Sequence, residues 1–156
     1  MTTTIELSST RPRTQRRKIT TGVDHQPPQD LVLSDSEKPW VLCIDDDEDF
    51  THALKLQLQT QGYDVARASH SKNGYQFAFE FEPIAILLDL NMPGESGEEL
   101  LSQLRYHPET NHIPVMIITG MNQPGLETRL LNQGAHAFFR KPVSFNTLMD
   151  AILQIS

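Results

Sequence analysis

Val41-Leu42-Cys43-Ile44, followed without a break by Asp45-Asp46-Asp47-Glu48-Asp49, is the stretch on which the fold turns. Four apolar residues in a row, too few for a helix and closed by a polar cluster, read as a strand buried on both faces. Beyond the acids, Phe50, Ala53, Leu54 and Leu58 recur at helical spacing, and Gly62 stands where a helix over about 50–61 would end. Strand, carboxylate-rich turn and amphipathic helix make one βα unit, and the unit repeats. Residues 63–68, 84–88, 115–118 and 137–140 are further short strands. Leu100, Leu101 and Leu104 mark one intervening helix, Leu126, Leu130 and Leu131 another, and Phe145, Leu148, Met149, Ile152 and Leu153 the last. Five repeats predict an α/β fold, a doubly wound five-stranded parallel sheet with five helices.

The second crossover is the ambiguous one. Tyr75, Phe77, Phe79 and Phe81 alternate with Gln76, Ala78, Glu80 and Glu82 as in a half-buried strand. A parallel sheet nevertheless needs a crossover here, so we expect a helix over 71–81, stopped before Pro83. Tyr75, Ala78 and Phe79 then share one face and Phe77 and Phe81 the other. That leaves two readings of the latter pair: an exposed aromatic patch, or a helix rotated to bury it.

The chain has 156 residues, 38% of them hydrophobic and 21% charged, enough for one domain with a real core. Residues 1–38 differ sharply from the rest. They are rich in Thr, Ser, Pro and Arg, with Leu31-Val32-Leu33 as the only apolar patch, too little to offset ordering entropy. We expect a disordered tail there and a folded domain over 39–156. The tail's cluster Arg11, Arg13, Arg16, Arg17 and Lys18 reads as a solvated arm or as a site for phosphates or an acidic surface. A net charge of −7 argues against nucleic acid or an anionic membrane as partner of the folded part. Cys43, the single cysteine, excludes an internal disulfide and reads as a buried small hydrophobe. No apolar run spans a bilayer and no leader is evident, so a cytoplasmic protein is expected. None of the six histidines stands at metal-ligand spacing, and all are expected at the surface.

In an open parallel sheet, ligands bind beyond the carboxyl ends of the strands. Those ends carry Asp45-Asp46-Asp47-Glu48-Asp49, then Asp89-Leu90-Asn91-Met92-Pro93-Gly94, then Thr119-Gly120, then Arg140-Lys141-Pro142. Taken alone, the first cluster is a helix cap. With Asp89 and Lys141 at neighbouring strand ends, Asp45 and Asp46 become metal ligands, while Asp47 and Asp49 remain capping or solvated. Gathered carboxylates repel unless a cation joins them, and Mg²⁺ is the hard ion that takes a few carboxylates together with a phosphate oxygen. Asp45, Asp46 and Asp89 suit it. Lys141 is placed to pair with a carboxylate or phosphoryl oxygens, and Thr119 to donate a hydrogen bond to the same group.

These motifs make the chain from Trp40 onward resemble a receiver domain of the two-component response-regulator family. Ile44-Asp45-Asp46 matches the acidic pair and Leu88 to Gly94 the phosphorylation segment. Thr119 matches the hydroxyl position, Phe138 the switch aromatic, and Lys141-Pro142 the lysine with its cis-proline. Gly97 and Gly134-Ala135 match small residues of the family. The resemblance implies a flavodoxin-like architecture and a single-domain response regulator of a phosphorelay, phosphorylated on Asp89 with Mg²⁺ as cofactor. The metal ligands would be Asp45, Asp46, Asp89 and the backbone carbonyl of Asn91. The implied partners are a histidine kinase or histidine phosphotransfer protein and a downstream protein effector. Receivers are phosphoacceptors that assist their own phosphorylation and dephosphorylation. Nothing follows Ser156, so no output domain is expected, and output would pass by contact through the fourth helix, fifth strand and fifth helix.

Three departures stand out: Gly74 and the Phe77/Phe81 pair in the second helix, a phenylalanine at 138, and residues 1–38. Phe138 lacks a hydroxyl to report an outward rotamer, so a core role is its alternative. Two other functions compete. A haloacid-dehalogenase-type phosphohydrolase would need an aspartate two residues after Asp89 as acid/base, where Asn91 stands. A receiver-like module signalling without phosphorylation would have no use for the intact acidic set.

Overall fold

The computed structural model describes residues 38–155. The tail and its basic cluster, Arg11, Arg13, Arg16, Arg17 and Lys18, therefore lie outside the described residues. Strands and helices alternate in the order β1 (Trp40–Ile44), α1 (Glu48–Thr60), β2 (Asp64–Ala68), α2 (Ser71–Phe81), β3 (Ala85–Leu88), α3 (Gly97–Tyr106), β4 (Val115–Thr119), α4 (Leu126–Asn132), β5 (Ala137–Arg140) and α5 (Phe145–Ile155). All strand pairs are parallel, and the sheet order is β2-β1-β3-β4-β5. The order reverses at β1, so the switch-point crevice opens between the ends of β1 and β3.

Alternation along each strand divides the core in two. Leu42 and Ile44 of β1 join Ile86, Leu88, Val115 and Ile117 beneath α2, α3 and α4. Val41 and Cys43 join Leu87, Met116 and Ile118 beneath α1 and α5. Both sheet faces are covered, which is why the strands read as unbroken apolar runs. Cys43 is buried as expected, and desolvation, with the nearby Asp45 charge, pushes its thiol up to about 12. Helix α1 begins two residues before the apolar stripe because Asp47 caps it, its carboxylate accepting the Phe50 N–H at 3.1 Å.

One open reading is decided by the side-chain placements, and three expected core positions, Phe79, Leu131 and Leu153, are not on the inner faces of their helices. In α2 the innermost residues are Gly74 and Ala78, one turn apart, and Phe77, Phe81 and Tyr75 pack half-buried against the core beside them. Phe77 and Phe81 thus follow the second of the two readings, a helix rotated to bury them, whereas Phe79, expected on the inner face, is not on the innermost line. The cause is steric: a Cβ on Gly74 would lie 2.5 Å from Ile44 Cδ1, so the helix lies too close to β1 for an aromatic ring beneath it. Leu131 and Leu153 are also surface residues, 40% and 47% exposed. Leu126 and Leu130 already complete the inner line of the short α4, and Leu148, Met149 and Ile152 that of α5.

Candidate functional site

Ile44 and Leu88 are register partners in adjacent strands, so the chain leaves both at the same level. Asp45 and Asp89 follow side by side, and the Asp89 amide still donates to the Ile44 carbonyl at 3.0 Å. Both side chains are buried, Asp45 to 1% and Asp89 to 6% exposure, while Asp46 is exposed. Carboxylate oxygens of Asp45, Asp46 and Asp89 lie within 4.8 Å of one another. Each buried aspartate spends one oxygen on its own turn. Asp45 Oδ1 accepts the Asp47 amide at 2.9 Å, and Asp89 Oδ1 the Asn91 amide at 3.1 Å.

The remaining oxygens meet Lys141. Its Nζ donates to Asp45 Oδ2 at 2.8 Å and lies 3.5 Å from Asp89 Oδ2. The Lys141 amide donates to the Thr119 carbonyl at 2.9 Å, which ties the residue after β5 to the end of β4. The Lys141–Pro142 peptide bond is cis. Thr119 is fully buried, and its Oγ1 accepts the Met121 amide at 3.1 Å, which leaves the hydroxyl proton available to donate. Phe138 is half-buried and packs against the core next to Ile117. Arg140 crosses over it, 5.6 Å from the ring centroid, and donates to the Met121 carbonyl and to Asn122 Oδ1 at 2.9 and 3.1 Å.

The electrostatics follow from burial. Desolvation raises the Asp45 pKa, and the neighbouring Asp89 charge adds to it, against the opposing hydrogen bonds from Lys141 and the Asp47 amide. Desolvation acts the other way on Lys141, but its bond to Asp45 and the charges of Asp45 and Asp89 outweigh it and hold the ammonium above the usual lysine range. Carboxylates gathered this closely could hold a divalent cation, and the oxygen-only donor set suits a hard ion such as Mg²⁺.

Two contributors had escaped the sequence reading. Arg67, the cation in β2, donates to the Asp45 and Asp46 carbonyls at 3.2 and 3.3 Å and to Glu48 at 3.2 Å, clamping the acidic loop from behind. An arginine near the end of a short strand, level with Cys43 and so just short of the acidic turn, was the available signal. Phe50, read as a core position, also places its ring 4.5 Å from Lys141 Nζ. Among the histidines, His70 is exposed and lies 3.7 Å from Glu95, whereas His107 is only half-exposed, its ring against Tyr75 and Tyr106.

Residues 41–153 match the profile of the response regulator receiver domain. The protein PilH of Pseudomonas aeruginosa is 32% identical over 112 residues, which cover 72% of this chain and 93% of that protein. The DNA-binding dual master transcriptional regulator RpaA of Synechocystis is 30% identical over 114 residues, 73% of this chain and 47% of that protein. The chain therefore spans nearly all of one relative and about half of the other. Among solved structures, a response regulator receiver domain protein from Clostridium thermocellum superposes with a TM-score of 0.68 at 28% identity, covering 75% of this chain and 93% of that one.

Proposed function

The chain belongs to the response regulator receiver family, and on that premise we propose that Asp89 takes a phosphoryl group from a phosphohistidine of a histidine kinase or histidine phosphotransfer protein. Receivers are phosphoacceptor switches rather than enzymes in the ordinary sense. The observation that carries the reading is the arrangement around Asp89: a buried carboxylate with one oxygen held by the Asn91 amide and the other facing Lys141, beside Asp45 and Asp46.

In the transfer, Asp89 Oδ2 forms a bond to phosphorus as the phosphorus–nitrogen bond breaks, and the imidazole leaves with a proton. Asp45, Asp46, Asp89 and the Asn91 carbonyl would hold Mg²⁺, which would supply positive charge to the phosphoryl oxygens. Lys141 pairs with one of those oxygens, and the buried Thr119 hydroxyl donates to another. Because Thr119 Oγ1 also holds the Met121 amide, any movement of the hydroxyl moves the β4–α4 loop, which Arg140 joins to Phe138. Output then passes to a protein effector through α4, β5 and α5, which would bind the two states with different affinity. We take residues 39–156 as the receiver domain and 1–38 as a tail, and a cytoplasmic setting fits the partners. No described helix is long and apolar enough to cross a membrane.

The test is mass spectrometry of the protein incubated with Mg²⁺ and acetyl phosphate. A gain of one phosphoryl group in wild type that Asp89→Asn lacks is expected. Equal labelling of the variant under limiting donor would remove Asp89 from the role.

A further inference from the structure

An ammonium has three N–H donors, and around Lys141 two of them are accounted for by Asp45 and Asp89. The face of Phe50 also lies against it, the ring centroid 4.5 Å from Nζ and well inside the range of a cation–π contact. We propose that Phe50 is a positioning residue for Lys141, its ring holding the ammonium on the carboxylate side of the site. A role for this contact in phosphoryl transfer rests on the reading of Asp89 as the phosphoacceptor.

The ring is itself fixed at both ends of the site. Phe50 is the third residue of α1, and its N–H is the one that caps on Asp47, so the ring moves with the loop that carries Asp45 and Asp46. It also stacks on Phe145, the first residue of α5, with centroids 6.4 Å apart and planes 20° from parallel. Lys141 and Phe145 bracket the turn between β5 and α5. The lysine thus sits between two buried carboxylates and an aromatic face anchored to both flanking elements. Lys141 is only about a quarter exposed, 24%, where water competes less for the ammonium and a ring face counts for more. A leucine at 50 would fill much of the same volume but present no negative face. The ammonium would then exchange that contact for water and spend less time where phosphoryl oxygens arrive.

The test uses the full-length protein with 4-fluoro-, 3,5-difluoro- or 3,4,5-trifluorophenylalanine at position 50, which keep the ring's shape while weakening its face, together with Phe50→Leu and Phe50→Tyr. In the Mg²⁺-free protein, the ε-methylene protons of Lys141, assigned by their loss in Lys141→Arg, should show an upfield ring-current shift. Phe50→Tyr should retain it and Phe50→Leu lose it. The rate of phosphorylation by acetyl phosphate should fall stepwise with fluorine count, by roughly two- to five-fold in all, with the urea midpoint unchanged. An ε-methylene shift that survives Phe50→Leu, or a rate indifferent to fluorination, overturns the proposal. Should wild type take no phosphoryl group at all, the phosphoacceptor reading has failed, and the ε-methylene series alone decides the contact: shifts that follow the ring uphold it, shifts that ignore it refute it.

Discussion

Replacing Gly97 by alanine tests how tightly the phosphoacceptor loop is held. Gly97 is buried at the start of α3, just after the Ser96 cap, and a Cβ there would lie 2.7 Å from Leu90 Cα and 3.0 Å from the Asp89 carbonyl oxygen. Ordinary contact begins near 3.4 Å, so the first approach is short by about 0.7 Å. The obstacle is backbone, which cannot rotate away as a side-chain tip can. Overpacking of this kind costs about 1–3 kcal/mol, against which alanine recovers at most about 1 kcal/mol of helix propensity, less at a first turn. We expect a net loss of about 1–2 kcal/mol, read as a lower urea midpoint at unchanged slope, or a fall of about 4 °C in Tm per kcal/mol. Under the proposed function the displaced Asp89 should also be phosphorylated more slowly by acetyl phosphate. Gly62→Ala is the control. Gly62 has φ +87° and nothing within 4 Å of a Cβ, so it should lose about 1 kcal/mol through backbone strain alone with phosphorylation untouched. Wild-type stability and rate in Gly97→Ala would refute the idea that α3 is packed directly onto the loop.

Three further outcomes are expected. Lys141→Ala should still bind Mg²⁺ but lose the chemical-shift changes around Thr119 and Phe138 that phosphorylation induces; retention of the full pattern would remove Lys141 from the switch. Gly74→Ala should also lower the urea midpoint, because the added Cβ would lie 2.5, 2.8 and 3.2 Å from Cδ1, Cγ1 and Cγ2 of the fully buried Ile44; a wild-type midpoint would refute the close approach of α2 to β1. Burial raises the folded pKa of Asp45, so the stability conferred by its protonated form is complete below its unfolded value and is lost as pH rises through the folded one. Metal-free protein should therefore gain stability from this group on mild acidification, and urea midpoints between about pH 4 and 7 should show that component flattened in Asp45→Asn.

The architecture was legible because five short apolar runs alternate with helical stripes, and parallel strands buried on both faces leave that signature. The motif residues were equally plain, since a switch-point site draws its side chains from strand ends that can be located in sequence. Rotation of α2 about its axis was not legible. Four aromatics at alternate positions satisfy no helical face, and what sets the rotation is the absence of a side chain at Gly74, visible only once Ile44 is seen beneath it. Arg67 and Phe50 were missed for a related reason. Each acts on a neighbour in space, across a strand pair or between α1 and the end of β5, where no spacing rule in one sequence applies.

The unequal reach of Lys141 gives the resting site a direction. Held at 2.8 Å from Asp45 and 3.5 Å from Asp89, the ammonium is committed to the residue that is not phosphorylated under the proposed function. Its contact with Asp45 is the shorter and stronger of the two, and that with Asp89 Oδ2 the longer and weaker. Asp45 in turn tolerates deep burial as a carboxylate because Lys141 and the Asp47 amide each take one of its oxygens. Arg67 holds the backbone of the same loop through its carbonyls, so it steadies Asp45 and Asp46 without consuming the carboxylate oxygens a metal needs. Cations on the backbone and on Asp45 thus keep the acidic turn in place.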